Sequence, residues 1–449
     1  MSYLHKVTSV NLPRLLCVKR VVTMSCILRV FQGSFAGLTP KPCLVMRMRS
    51  LDSGFASARD DRMRAARDDR MRVYSYTDLY SLTKSSDTNM APSFSQLGNE
   101  KITWETTTNA NIGAEFSFWK GRVSGVLDAY YKKTSDLLFW ISIPESAGTR
   151  GYYGNIGDIA NRGLELTLNF TPVRTRDVEW NIGGNIATNK AWILSLPKAK
   201  MGENGGYYES GYWWTPGGVM RNYMNYEYAG VSDDGQALYW YDEDMSPAGP
   251  NKGISNVTNL PGKKHSGTTT LIGEATRYAQ GTLLPKAFGG FNTSLRLWNF
   301  DLSASFDYQI GGRISDSVYQ KLMTPSTSAS DGGYNYHKDI FKAWSPTNTE
   351  SNIPRWQYGD TYAASGSSRW LVNASYINFQ SFSVGYNVPV ARLGIGELIN
   401  RIRIYAVGEN IGYISARKGF DPRASLSGTS STNVYSPVRS ISGGIQVTF

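Results

Sequence analysis

From about residue 96 to Phe449 the chain is written in period two, and no other feature limits its folding as strongly. In NFDLSASFDYQIGG, Phe300, Leu302, Ala304, Phe306, Tyr308 and Ile310 alternate with Asp301, Ser303, Ser305, Asp307 and Gln309. Successive side chains of a strand point to opposite faces, so this is a strand with one apolar and one polar side. NRGLELTLNFTP sets Leu164, Leu166, Leu168 and Phe170 against Glu165, Thr167 and Asn169. The final RSISGGIQVTF sets Ile441, Ile445, Val447 and Phe449 against Ser442, Gln446 and Thr448. Similar runs near 103–118, 122–140, 178–193, 217–230, 236–242, 286–298, 370–388, 400–412 and 438–449 predict about eleven strands. Short helices are expected near 314–323 and 391–399.

Two features separate these strands from those of a soluble sandwich. Many exceed ten residues, where five or six is usual. Their polar faces carry Asp, Glu, Asn, Gln, Ser and Thr, as a wet lumen requires. Aromatic residues gather near the strand ends: Trp104, Phe118, Trp119, Phe139, Trp140, Trp180, Trp192, Trp298, Phe300 and Trp370. Aromatic girdles of this kind mark the two interfaces of a membrane barrel. No stretch approaches the roughly 18 apolar residues of a spanning helix. The expected fold is therefore all-β, an antiparallel transmembrane β-barrel in the bacterial outer membrane.

Connection lengths orient it. Short links fall at WKGR, PVRTRDV, SDDG and Trp298–Phe300; long ones cover 141–156, 194–216, 243–285, 313–369 and 413–437. Such barrels have short periplasmic turns and long extracellular loops, which puts Phe449 at the periplasmic rim. The link 389–399 is longer than a turn although parity makes it periplasmic.

Residues 1–95 have a different composition. They hold 15 Lys+Arg against 7 Asp+Glu, a net +8, whereas 96–449 carries only +3 of the total +11. Cys17, Cys26 and Cys43 all lie there, as does the repeat ARDDRMR at 58–64 and 66–72. Arginine repeats can neutralise phosphates, but no aromatic stacking partners interleave with these, so a solvated charged stretch is the expectation and no nucleic-acid partner is. KRVVTMSCILRVFQGSFAG is a poor signal peptide, because Arg29 interrupts its apolar run.

No chemistry of an enzyme is visible. His5, His265 and His337 are scattered, and neither a metal-ligand spacing, a Walker A loop nor a nucleophile elbow occurs, so no metal or cofactor is expected. Asp242, Glu243 and Asp244 read as a solvated loop entrance. The better candidate is GYYESGYWWTPGG, which presents Tyr207, Tyr208, Tyr212, Trp213 and Trp214 on the outer side. Aromatic faces stack on sugar rings while neighbouring polar groups bind hydroxyls; the competing account is self-packing of the loop.

Taken in order, LGNEKITWETTTNANIGAEF, GVLDAYYKKTSDLLF, GNIGDIANRGLELTLNF, GGNIATNKAWILSL, LPKAFGGFNTSLRLWNFDLSASFDYQIGGRI, YINFQSFSVGYNVP, RIRIYAVGENIGYIS and GGIQVTF resemble the C-terminal half of the barrel in SusC/RagA-type TonB-dependent transporters. The resemblance covers 96–449. It implies about eleven strands of a 22-stranded type, a nutrient importer for oligosaccharides or peptides, and a SusD-like surface lipoprotein as partner. It also implies a C-terminal strand whose Ile445, Val447 and Phe449 face lipid and are read by the outer-membrane assembly machinery. The family's plug domain and TonB box have no counterpart in 1–95. That segment is expected to be disordered or foreign to the family, as a misjoined frame would be, with TonB reaching the protein only through the missing region. A fragment inactive alone is the leading expectation, and a non-transporting barrel or adhesin the alternative.

Overall fold

The computed structural model describes residues 43–47, 76–84, 90–144, 146, 148–149, 151–155, 157–198, 201, 205–243, 265–325, 335–394, 399–424 and 437–449. The charged repeat at 58–72 lies outside them, as do His5 and Asp244. One antiparallel sheet dominates: β1 (Cys43–Arg47), β2 (Thr106–Phe118), β3 (Val123–Ser135), β4 (Asp158–Arg174), β5 (Val178–Ser195), β6 (Ala287–Leu297), β7 (Phe300–Ile310), β8 (Tyr376–Val388), β9 (Arg401–Ser415) and β10 (Ser440–Thr448). The strands follow one another in strict chain order, each hydrogen-bonded to the next.

The register turns alternation into two faces. Leu127 pairs with Leu166, and Leu166 with Ile186. Farther along, Leu295 pairs with Trp180 and Leu302, Leu302 with Val384, and Ile404 with Tyr386 and Ile445. From the short turns up to the level of Leu164 the in-register ranks of one parity are mainly apolar, and many of their members are exposed, among them Leu127, Leu164, Leu168, Ile186, Leu302, Val384, Ile404 and Ile445. A continuous exposed apolar sheet face in water would be an association hazard, and in a bilayer it is the solvated face. The other parity gives Asp128, Glu165, Glu179, Asn185, Arg296, Asp301 and Arg403. That is the polar lumenal face of a barrel wall.

Connections sort by end. Residues 119–122, 175–177, 298–299 and 389–400 join strands at one end, and 136–157, 196–286, 311–375 and 416–439 at the other. At the short-turn end Trp119 and Trp298 take positive φ at turn tips, and both are strongly exposed. With Phe118, Trp180 and Phe300 they form the expected girdle. The link 389–400 contains a 3-10 turn, Val390–Leu393, where a short helix was expected. The helix expected near 314–323 is present as α1 (Ser317–Met323).

Three sequence expectations change. Residues 217–230 and 236–242 are not wall strands, because β5 pairs directly with β6. Their strands Asn222–Tyr226, Tyr228–Val231 and Ala237–Tyr241 are four or five residues long, too short to cross an apolar band about 25 Å tall. They belong to small loop sheets with a core of their own, in which Met224 and Tyr239 are fully buried. SDDG is accordingly a hairpin tip within that loop and not a periplasmic turn. There the Ser232 hydroxyl and the Gln236 amide hold the Asp234 carboxyl below its usual range. Trp370, counted with the girdle, is buried inside the loops, where its indole N–H donates to the Ser365 carbonyl at 2.9 Å.

Candidate functional site

The lumenal wall near the short-turn end carries a connected polar network. The Arg403 guanidinium grips both carboxylate oxygens of Asp301, its Nε at 3.1 Å from Oδ1. Asn387 Nδ2 donates to the same Oδ1 at 3.1 Å, and Arg401 Nε donates to Asn387 Oδ1 at 2.8 Å. On the adjoining strand β6, Arg296 Nη2 reaches Glu179 Oε2 of β5 at 3.3 Å. Gly385 sits between the partners of the first pair, and a Cβ there would lie 2.5 Å from Asp301 Oδ2. A charged, hydrogen-bonded lining is what an aqueous passage needs and what a packed apolar core excludes.

At the opposite end the long connections interlock. The Tyr239 hydroxyl of 196–286 donates to the Tyr362 carbonyl of 311–375, and Tyr228 N donates to Ser368 Oγ at 3.0 Å. Arg369 is desolvated between these connections, its guanidinium 4.4 Å from the Trp370 ring and 5.4 Å from that of Tyr228. The connection 416–439 is tied in by Arg417, which ion-pairs with the buried Asp316 and stacks on Tyr319 at 4.1 Å. Asp316 also caps α1, its Oδ1 accepting from Tyr319 N at 3.0 Å. The three loops thus form one body.

Where two of them meet, a cleft of about 290 Å³ opens, lined by Gln236, Arg355, Gln357, Tyr358, Asp360 and Tyr362. Arg355 Nη1 donates to the Asp234 carbonyl at 3.0 Å, while its buried Nε has no partner among the described residues. Tyr358 and Tyr362 are exposed, and beside them Tyr336 packs edge-on against Trp356 at 4.8 Å. Rings next to an unsatisfied donor suit a polyhydroxylated or peptide ligand. The sequence reading passed over this group. Its only local signal is the run PRWQYGDTY at 354–362, and the rest of the cleft comes from Gln236, Ala237 and Thr270, far away in the chain.

The aromatic residues singled out from sequence lie in the strands Tyr207–Glu209 and Tyr212–Trp214 of a four-stranded loop sheet. Trp213 is buried. Tyr207 stacks on Trp214 at 6.3 Å, and Tyr212 packs on Tyr223 at 4.9 Å. The Arg277 guanidinium covers Tyr208 at 4.9 Å. Burial and the Glu209 carboxylate push the Tyr207 hydroxyl up to about 12. These rings chiefly pack on one another, and their exposed edges are what a ligand could reach. Asp242 is buried with its N–H donating to Thr276 Oγ1 at 3.0 Å, and Glu243 N donates to Ser266 Oγ at 3.3 Å. His265 stacks on Trp240 at 4.4 Å, and His337 contacts Asp339 at 3.2 Å. Among the described residues no group of His, Cys, Asp and Glu is arranged to hold a metal. At the end of the wall Ile445 and Phe449 are strongly exposed and Val447 less so, all on the apolar side.

Comparison with known proteins agrees with this geometry. Residues 70–283 match the family described as TonB dependent receptor-like, beta-barrel. TonB-dependent receptor P3 of Formosa agariphila is 28% identical over 369 residues, covering 78% of this chain and 35% of that protein. TonB-dependent receptor SusC of Bacteroides thetaiotaomicron is 26% identical, covering 78% and 33%. The chain therefore spans about a third of the length of these relatives. Among solved structures, the RagAB peptide importer in its closed-closed state superposes with a TM-score of 0.68 at 23% identity, over 84% of this chain and 39% of that one. The sequential wall and its apolar outer face are those of an outer-membrane β-barrel, and the family this chain is similar to is the β-barrel of TonB-dependent receptors.

Proposed function

We propose that this chain forms part of the wall and much of the extracellular loop body of an energy-coupled nutrient importer, with an oligosaccharide as the transported class. The observation that supports the reading best is the combination of a charged lumenal wall and, at the long-loop end, an interlocked loop body with a polar cleft edged by Tyr358 and Tyr362. A non-transporting adhesin has no use for a charged lumen.

On this reading a SusD-like surface lipoprotein covers the loop body, TonB supplies energy through a part of the protein outside 96–449, and the assembly machinery reads the outward row Ile445, Val447 and Phe449. The rings of Tyr208, Tyr212 and Trp214 form a second rim through their edges, with Tyr207 and Trp213 as support. Peptide is the second substrate class, favoured by the unpaired Arg355 Nε, which could bind a carboxylate.

The test is binding to the full chain refolded in detergent micelles, using neutral oligosaccharides and short acidic peptides as separate probes. Tyr358→Ala with Tyr362→Ala is expected to weaken glycan binding by roughly tenfold or more, as loss of two stacking faces implies. Arg355→Gln is expected to leave glycan binding nearly unchanged. Selective loss of peptide binding in Arg355→Gln, with no glycan binding by the parent chain, would move the assignment to peptides. Unchanged binding in every variant would remove the cleft from the function.

A further inference from the structure

The outward face changes character at one level of the wall. Reading up from the short turns, β3 presents Val123, Leu127 and Ala129 and then Tyr131. In step with it, β4 presents Phe170, Leu168, Leu166 and Leu164 and then Arg162. On β5, Ile182 and Ile186 give way to Thr188 and Lys190. Tyr131, Arg162 and Lys190 are direct register partners, so they form one rank across three strands. From Val123 to Tyr131 the chain climbs roughly 26 Å along the strand, or roughly 20 Å in height at the usual tilt. That brings the rank to the upper edge of an apolar band about 25 Å tall, at the long-loop interface.

The rank is furnished beyond its two charges. Trp192 stands one step higher on the same face, with the Arg162 guanidinium 5.4 Å from its ring and Tyr131 at 6.3 Å. A cavity of about 750 Å³ opens beside it, lined by Tyr131, Arg162, Leu164, Lys190, Val219 and Pro285 among others. Asp158, which precedes Arg162 by four residues on β4, is engaged by Lys133 at 3.2 Å. Among the described residues no ion pair joins Arg162 or Lys190 to an acid. Among the described residues, two cations therefore sit without acidic partners where headgroups lie, above a strip of leucines where acyl chains lie.

We infer that this rank is a binding site for an anionic, phosphate-bearing lipid of the outer leaflet. The phosphate would lie between Arg162 and Lys190, and an acyl chain would run down over Leu164, Leu166 and Leu127. Charge complementarity selects an anionic headgroup over a zwitterionic one. Simple snorkelling of two cations to the interface would need neither the aromatic Trp192–Tyr131 wall nor the cavity beside it.

The experiment uses the full chain in neutral detergent micelles, with retained lipid measured by native mass spectrometry. Phosphatidylglycerol is the anionic probe and phosphatidylcholine with the same acyl chains the control. Each juxtaposed cation contributes enough that the double variant R162Q/K190Q is expected to retain phosphatidylglycerol about thirty-fold less well. It should then match phosphatidylcholine. Lys132→Gln lies at the same height on the lumenal face and is expected to change nothing, and heat-shifted electrophoretic mobility verifies folding of every variant. Retention of phosphatidylglycerol by R162Q/K190Q at the parent level would overturn the site, as would equal retention of the two lipids by the parent. Displacement by inorganic phosphate at matched concentration would also overturn it, showing a free-anion site in its place.

Discussion

Leu166 and Thr167 are neighbours in the chain and face opposite solvents, which makes them a sharp test of the wall. Leu166 is flanked in register by Leu127 and Ile186, and Thr167 by Val126 and Asn185. Phe170 pairs with Val123 at the short-turn edge, and Leu166 lies four residues above it. Four residues rise roughly 13 Å along the strand and roughly 10 Å in height, close to the middle of a band about 25 Å tall. An arginine at such a midplane position on the lipid side costs about 2–4 kcal/mol. Leu166→Arg is therefore expected to lower the folding equilibrium by a factor between about 30 and 1,000. Thr167→Arg places the same charge in a polar, water-facing lumen beside Asn185 and should cost under about 1 kcal/mol. Urea titration of the chain in lipid vesicles, followed by tryptophan fluorescence and heat-shifted mobility, measures both. Equal costs, or a larger cost for Thr167→Arg, would refute the assignment of faces and with it the membrane reading of the sheet.

Asp316→Ala leaves Arg417 without its buried partner and α1 without its cap. Loss of one member of a buried pair costs about 3–5 kcal/mol, so limited proteolysis should open 311–375 and 416–439 while the wall stays intact. Gly385→Ala puts a methyl group against the Asp301–Arg403 pair. It should destabilise the wall by about 1–3 kcal/mol in urea titration, whereas Gly443→Ala, whose Cβ meets only the Tyr405 carbonyl at 3.5 Å, should be nearly silent. Burial pushes the hydroxyls of Tyr207, Tyr228 and Tyr319 up to about 12, above their unfolded value of 10. The stabilisation linked to these groups is complete below pH 10 and is lost as pH rises toward 12, so ultraviolet titration should show their phenolates only near the upper limit, together with loop unfolding. Phenolate absorbance from all tyrosines at pH 10 would contradict the packing of the loop body.

Which residues meet lipid and which meet the lumen was legible from the chain alone, because that choice rests on a local fact: neighbouring side chains on a strand point opposite ways. Leu164, Leu166 and Leu168 against Glu165, Thr167 and Asn169 needed no tertiary information, and the length of such runs excluded a sandwich. Alternation states that a strand is half-buried, however, and not what buries it. Ala237–Tyr241 alternates as well as a wall strand does, yet it packs under Ala363 and Tyr362 in a loop sheet, and only the direct pairing of β5 with β6 removes it from the wall. The same limit applies to the candidate sites. GYYESGYWWTPGG is conspicuous because its aromatics are adjacent in sequence, and adjacency let them pack on one another. The cleft joins Gln236 to Asp360, the lumenal pair joins Asp301 to Arg403, and the outward rank joins Tyr131, Arg162 and Lys190. Each of these sites is made by register or loop contact between distant segments, and no periodicity within one segment encodes where another will lie.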